Sequence, residues 1–275
     1  MSVDTNRRVL PGFQLSLGYS VFYLSLLVII PIAAGFLKAS SLSLDAFWAA
    51  VSTERAIAAY RLTLGVSFAS AIANVLIGSL VAWVLVRYEF LGKRLIDSLI
   101  DFPFALPTAV GGLVFTDLLV ADGWYGRWLV PLGIEGAYTR LGIVVVLTFV
   151  GFPFVVRTLQ PVLEGLERDV EEAAACLGAG RWQTVRRVLF PQLVPALVTG
   201  FALAFSRALG EYGSVVFISG NMPFKTEIAP VLVVARLEEF AYAEATAIAV
   251  VLLGMSFVAL FAINLLERWS ATRHG

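Results

Sequence analysis

The sequence predicts an all-α membrane protein with about six spans, and three observations carry that expectation. Of the 275 residues, 59% are hydrophobic and 15% charged, with mean hydropathy +0.85, which is too apolar for a water-facing surface of that size. Uncharged runs long enough to cross a bilayer recur along the chain, and the charges gather in the intervals between them.

A helix rises about 1.5 Å per residue, so a hydrocarbon core of roughly 30 Å takes about 20 residues. The first run, Val9 to Leu37, lies uncharged between Arg8 and Lys38, and predicts a span over about 15–37. The Arg7-Arg8 pair raises the possibility of a signal peptide. The run greatly exceeds the roughly 7–15 residues of a signal core, however, so a retained helix is expected. The second span, 62–86, lies between Arg61 and Arg87, and the sixth, 245–266, between Glu244 and Glu267. The third, 98–120, is interrupted by Asp101, Pro103, Pro107 and Asp117; the fourth, 141–157, carries Pro153 near its end; the fifth, 192–217, contains Arg207 and Glu211. All belong to one transmembrane domain, 1–275.

Twenty basic residues balance twenty acidic ones, so net charge points to no nucleic-acid partner, and only placement is informative. With six spans, the even-numbered loops and the tails hold Arg7, Arg8, Arg87, Lys93, Arg94, Arg157, Arg168, Arg181, Arg186, Arg187, Arg268 and Arg273. The opposite side holds Lys38, Arg55, Arg61, Arg127, Arg140, Lys225 and Arg236. Twelve against seven predicts cytoplasmic termini by the positive-inside rule. The single cysteine, Cys176, and single histidine, His274, offer no disulfide and no metal constellation, and His274 is expected in an unstructured tail.

The interval 164–191 is too polar to insert and too long for a plain connector. Asp169 followed by Glu172 predicts a capping-box helix start, Ala173, Ala174 and Leu177 share a face, and Gly178-Ala179-Gly180 breaks the helix. A second, amphipathic helix follows, with Trp182, Val185, Val188 and Leu189 on one side and Arg181, Arg186 and Arg187 elsewhere, lying on the membrane until Pro191 opens the fifth span. Two small alanines admit a close neighbour and Glu172 offers a carboxylate, although simple capping and helix propensity would choose the same residues.

The order Glu172-Ala173-Ala174, then Gly178, then Pro191, resembles the cytoplasmic "EAA" loop of the membrane subunits of bacterial ABC importers, with Val188 and Phe190 standing where Ile and Leu are usual. The segment Ser206 to Phe240, with Asp101 to Leu113, is similar to the permeases of sulfate and thiosulfate importers, T-subunit type; molybdate permeases share the "ALGEYG" style. The resemblance implies a type I importer permease fold of MetI-like topology in a bacterial inner membrane. It further implies that Glu172, Ala173, Ala174, Leu177, Gly178, Arg181 and Pro191 form the coupling loop. The implied partners are a W-type second permease, two copies of an ATPase that hold ATP and magnesium, an extracytoplasmic sulfate-binding protein and the lipid bilayer. This chain would hold no cofactor and would not be an enzyme by itself.

No phosphate-cradling Gly-x-x-x-x-Gly-Lys-Ser/Thr pattern occurs, so the chain must borrow its energy. For the ion's path, Arg207 is the first candidate: twelve residues past Pro195 puts it about 18 Å along a helix, where an arginine costs roughly 2.5–3.5 kcal/mol. Glu211 lies one turn later with Tyr212 beside it, so the choice stands between an Arg207–Glu211 pair and direct anion contact. Pro103 and Pro107 predict either a path-lining break or a packing kink. Ser214, Ser219 and Asn221 are donors for an arriving anion, or ordinary turn residues. The function expected is ATP-driven uptake of sulfate or thiosulfate by alternating access. A molybdate or tungstate permease is the nearer alternative, and an ATP-independent transporter the farther one.

Overall fold

The computed structural model describes the backbone of residues 12–166 and 168–274 and the side chains of 12–166 and 169–265; Arg7 and Arg8 lie outside the described residues. Among the described residues the regular elements are helices: α1 Phe13–Ala39, α2 Leu44–Val51, α3 Glu54–Arg87, α4 Lys93–Ile100, α5 Thr108–Leu119, α6 Arg140–Glu164, α7 Arg168–Cys176, α8 Arg181–Leu209, α9 Ala229–Glu238 and α10 Tyr242–His274. Single turns at Phe102–Ala105, Gly126–Leu129 and Val215–Ile218 fill the connections.

Five of these helices (α1, α3, α6, α8 and α10) are long and apolar enough to cross a membrane. Their starts follow from local chemistry. The Thr53 hydroxyl accepts the Ala56 N–H at 3.1 Å to cap α3, and Thr139 accepts the Gly142 N–H at 3.3 Å to cap α6. α3, α6 and α8 form the centre, with Val155, Val156, Leu159, Ala204 and Ala71 buried between them. Glycines bring the axes together: a Cβ on Gly78 would sit 3.0 Å from Val155, and one on Gly200 3.2 Å from the Val155 Cα. Without a hydrophobic force between helices in lipid, such close small-residue packing is what holds spans together. α10 packs along the outside of this centre on α8, and α1 packs on α10, keeping most of its large side chains exposed.

The third expected span is not one helix. α4, a single turn and α5 replace the continuous 98–120 helix, because Pro103 and Pro107 impose a stop: Leu106, before Pro107, is driven to an extended ψ of 127°. The fifth span ends at Leu209, and Gly210–Gly213 leaves the helix before the short turn at Val215–Ile218. At its other end, the amphipathic helix expected to lie separately on the membrane is continuous with the span: α8 runs from Arg181 to Leu209. A π turn at Val185–Leu189, with Phe190 N–H bonded to the Val185 carbonyl, widens the helix just before Pro191, whose ring would otherwise clash one turn back. The C-terminal tail, expected to be unstructured, is helical to His274. α2 and α9 are too short to register as spans in hydropathy.

The charges sort to two ends. Arg87 at the end of α3 pairs with Glu171 of α7 at 2.6 Å, which fixes the end bearing the 164–191 loop. At the other end, Arg55 at the start of α3 grips Glu227 with two hydrogen bonds of 2.7 Å, and Arg140 at the start of α6 donates to the Lys225 carbonyl at 2.9 Å.

Candidate functional site

The loop end is built around a helix stop. Gly178 has φ +83°; its N–H bonds the Ala175 carbonyl at 2.9 Å, and the Ala179 N–H bonds the Ala174 carbonyl at 3.0 Å. This is the Schellman arrangement, which needs a left-handed residue where the helix ends. It turns the chain through Gly180 into Arg181, the first residue of α8. The expected capping box at Asp169 is not formed, since α7 already starts at Arg168 and Asp169 sits in its first turn.

The loop is a surface with two sides. Ala174 is buried, whereas Glu172, Ala173, Gly178 and Arg181 are exposed, with Leu177 89% and Trp182 74% exposed. Both of these bare apolar side chains stand among charged residues at a polar end of the molecule. Glu171 anchors the loop to α3 through Arg87, whose guanidinium also lies 5.2 Å from the centre of the Trp83 ring. Pro191 is half-buried behind the π turn.

In the body of the bundle the two broken spans meet. A Cβ on Gly112 would fall 2.1 Å from the Ser214 carbonyl oxygen, and one on Gly213 2.4 Å from the Thr108 hydroxyl. The start of α5 therefore rests directly on the non-helical segment after α8. Here Arg207 pairs with Glu211, and the Glu211 carboxylate also accepts the Ser214 N–H at 2.9 Å and its hydroxyl at 3.0 Å. Glu211 is 2% exposed, but the Arg207 side chain is 34% exposed and has further N–H groups beyond the one that meets Glu211. Tyr212 packs against the cluster that includes Val66, Ile143 and Ala208. Pro103 is buried, and Pro107 forms the cap position of α5. The other proposed donors are engaged within the chain: the Ser219 hydroxyl donates to Asn221 Oδ1 at 2.6 Å, and the Asn221 amide donates to the Val216 carbonyl at 3.0 Å. They shape a turn in which Asn221 has φ +51°.

Residues 74–273 match the family of binding-protein-dependent transport system inner membrane components. The chain belongs to this family. Its relatives include the sulfate transport system permease protein CysT of Escherichia coli strain K12, 48% identical over 97% of this chain and 96% of that protein. The CysT of Synechocystis sp. is 51% identical over 91% of this chain and 87% of the relative. In fold it is similar to a chain of a bacterial ABC transporter that imports alginate, with TM-score 0.77 at 15% identity over 93% of this chain and 94% of that one. The inward-facing MetNI methionine transporter gives TM-score 0.59 at 20% identity over 83% and 99%. The all-helical, MetI-like permease fold is thus the architecture of this transport component, which is a multi-pass, non-catalytic membrane subunit.

Two features of the permease escaped sequence analysis. Arg157, a loop charge by its place in the sequence, clamps the broken span to α6: it donates to Asp101 at 2.9 and 2.6 Å, to the Asp97 carboxylate at 2.7 Å and to Gln160 at 2.7 Å. Gln160 in turn donates to Asp97 at 2.8 Å. On α4, outside the spans, the Asp97 carboxyl is held below the usual carboxylate range by Gln160 and Arg157. The spacing of Arg157 and Gln160, three apart on one helix face, was the available signal. The second feature is Asn74, buried on α3 with neither amide atom bonded, beside the bare Cα of Gly151. A polar residue inside an apolar run was the signal there.

Proposed function

We propose that this permease is one membrane subunit of an ATP-driven importer of sulfate, with thiosulfate as the second cargo. The observation that carries the assignment is identity of about half of all positions, over more than nine-tenths of the chain, to proteins named as sulfate transport system permeases. Its termini face the cytoplasm, in keeping with the twelve-to-seven basic bias, and the membrane is the inner one. The exposed Leu177, Trp182, Glu172 and Ala173 receive an ATPase subunit, two copies of which serve this chain and a W-type permease partner. ATP and magnesium stay on the ATPase. A soluble sulfate-binding protein delivers cargo to the opposite end.

The mechanism follows from which parts are rigid. Closure of the ATPase dimer displaces α7; the Schellman stop at Gly178 passes that displacement into α8 without an intervening hinge, because Arg181 to Leu209 is a single helix. At its far end α8 carries Arg207, whose pair with Glu211 sits where the two broken spans meet. Movement of α8 shifts Arg207 relative to the Ser214-bound carboxylate, and opening that pair frees a guanidinium for a passing oxyanion. A tagged chain should co-purify with an ATPase and a second permease, and the reconstituted complex should take up sulfate with ATP. A complex carrying molybdate or tungstate and not sulfate would transfer the assignment to those anions. Uptake without any ATPase would overturn it.

A further inference from the structure

The end opposite the loop contains a cavity bordered by two arginines. Its volume is about 460 Å³, and it opens between α3, the first turn of α6 and the connector before α9, with Arg61, Gly65, Arg140 and Phe224 on its walls. No carboxylate lines it. The acid nearest in the connector, Glu227, is already consumed by Arg55 at 2.7 Å through both oxygens. The Arg61 side chain makes no ion pair or hydrogen bond among the described residues. Arg140 spends only its Nε, on the Lys225 carbonyl at 2.9 Å, which fixes the guanidinium and leaves its outer N–H groups unspent. Two arginines with unspent N–H groups therefore border one opening that no carboxylate lines.

The wall that orients Arg140 is unusually well determined. The Met222 carbonyl accepts the N–H groups of Lys225, Thr226 and Glu227 at 3.2, 3.0 and 3.1 Å, and Thr226 Oγ1 accepts the Met222 N–H at 3.1 Å. Asn221 at φ +51° and Phe224 at φ +64° are held in left-handed conformations that non-glycine residues adopt at a cost. Strain of this kind, maintained by surrounding bonds, concentrates where a loop must present a group in one position. At the floor, Gly65 leaves room beside Arg61, and Val66 belongs to the same packed cluster as Ala208 and Tyr212. Through that cluster the cavity wall is packed to Tyr212, the neighbour of Glu211.

We propose that the Arg61–Arg140 cavity is a low-affinity receiving site for a divalent tetrahedral oxyanion, which holds cargo released from the soluble binding protein until the Arg207–Glu211 pair opens. Planar forks match the oxygen edges of such an ion better than ammonium groups do. The solvent-open position keeps the hold weak, as passage requires. The inference rests on the import assignment and on this end facing outward.

The test uses the full reconstituted complex, radiolabelled sulfate and saturating loaded binding protein, with uptake and ATP hydrolysis followed together. Arg61→Gln with Arg140→Gln should lower uptake about tenfold to a hundredfold, while stimulation of ATP hydrolysis by the binding protein stays within about twofold of wild type. Arg61→Lys with Arg140→Lys should recover part of the uptake, since the charge remains and only the fork is lost. Arg127→Gln, at the same end but outside the cavity, should change neither. Unchanged uptake in the double glutamine variant would overturn the proposal. So would joint loss of uptake and of stimulated hydrolysis, which would mark the surface as a docking site for the binding protein. Failure of the import assignment shows separately, as absence of sulfate uptake by the wild-type complex; the same variants scored on the oxyanion actually carried would then decide the cavity.

Discussion

Replacing Gly178 isolates backbone conformation from every other property of the loop. Its φ of +83° is left-handed, and an added Cβ would meet nothing within 4 Å, so Gly178→Ala brings no clash and costs only the conformational term, about 1–2 kcal/mol. That is a factor of about 5–30 in the population of the native stop. The Ala179-to-Ala174 and Gly178-to-Ala175 hydrogen bonds go with it. β-branched Gly178→Val should cost more and Gly178→Asn least, since asparagine accepts left-handed angles most readily. The assay is the ratio of sulfate transported to ATP hydrolysed in proteoliposomes, with membrane insertion checked separately. The expected order is wild type, Asn, Ala, Val, with insertion constant. Wild-type coupling in Gly178→Val would refute the reasoning, and equal loss in Asn and Val would show that occupied space at the docking surface matters and backbone angle does not.

Gly112→Ala should be damaging at a site remote from the loop: its Cβ would fall 2.1 Å from the Ser214 carbonyl, so the two broken spans must separate. A loss of about 1–3 kcal/mol in thermal stability of the purified complex is expected. Arg207→Ala leaves the 2%-exposed Glu211 carboxylate with only its Ser214 donors; uptake should fall at least tenfold at normal expression, and full uptake would remove the pair from the path. Arg157→Lys keeps the charge but cannot reach Asp101, Asp97 and Gln160 at once. Because these groups are a third to a half exposed, the stability cost should be about 1 kcal/mol or less, measured as a small shift in unfolding temperature.

Sequence was most informative where one physical requirement dominates. Bilayer thickness fixes the length of uncharged runs, so the runs in α1, α3 and α10 stand out, whereas the one in α6 is a weaker signal because Pro153 lies near its end. Gly178 was evident because a helix followed by a sharp turn leaves few residue choices. Legibility failed where two segments jointly satisfy a need. Pro103 and Pro107 announced an interruption, but its use, the seating of α5 on Ser214, depends on a second break 100 residues later. The continuity of the amphipathic helix with α8 was hidden because Pro191 reads as a boundary, while a π turn can absorb it. Arg157 looked like a loop charge because its acidic partners are 56 and 60 residues away. The Arg207–Glu211 pair, by contrast, is one turn apart and was visible in advance.

On the proposed function, this chain conducts sulfate only when an ATPase drives it through the 172–178 loop. The most direct measurement is uptake of radiolabelled sulfate into proteoliposomes that hold this chain, its permease partner and the ATPase, with loaded binding protein outside and ATP inside. Uptake should require ATP, compete with thiosulfate, and be lost in Gly178→Val while ATP hydrolysis continues. Sulfate uptake that persists without ATP, or ATP-driven uptake that ignores the Gly178 substitution, would contradict the proposed function.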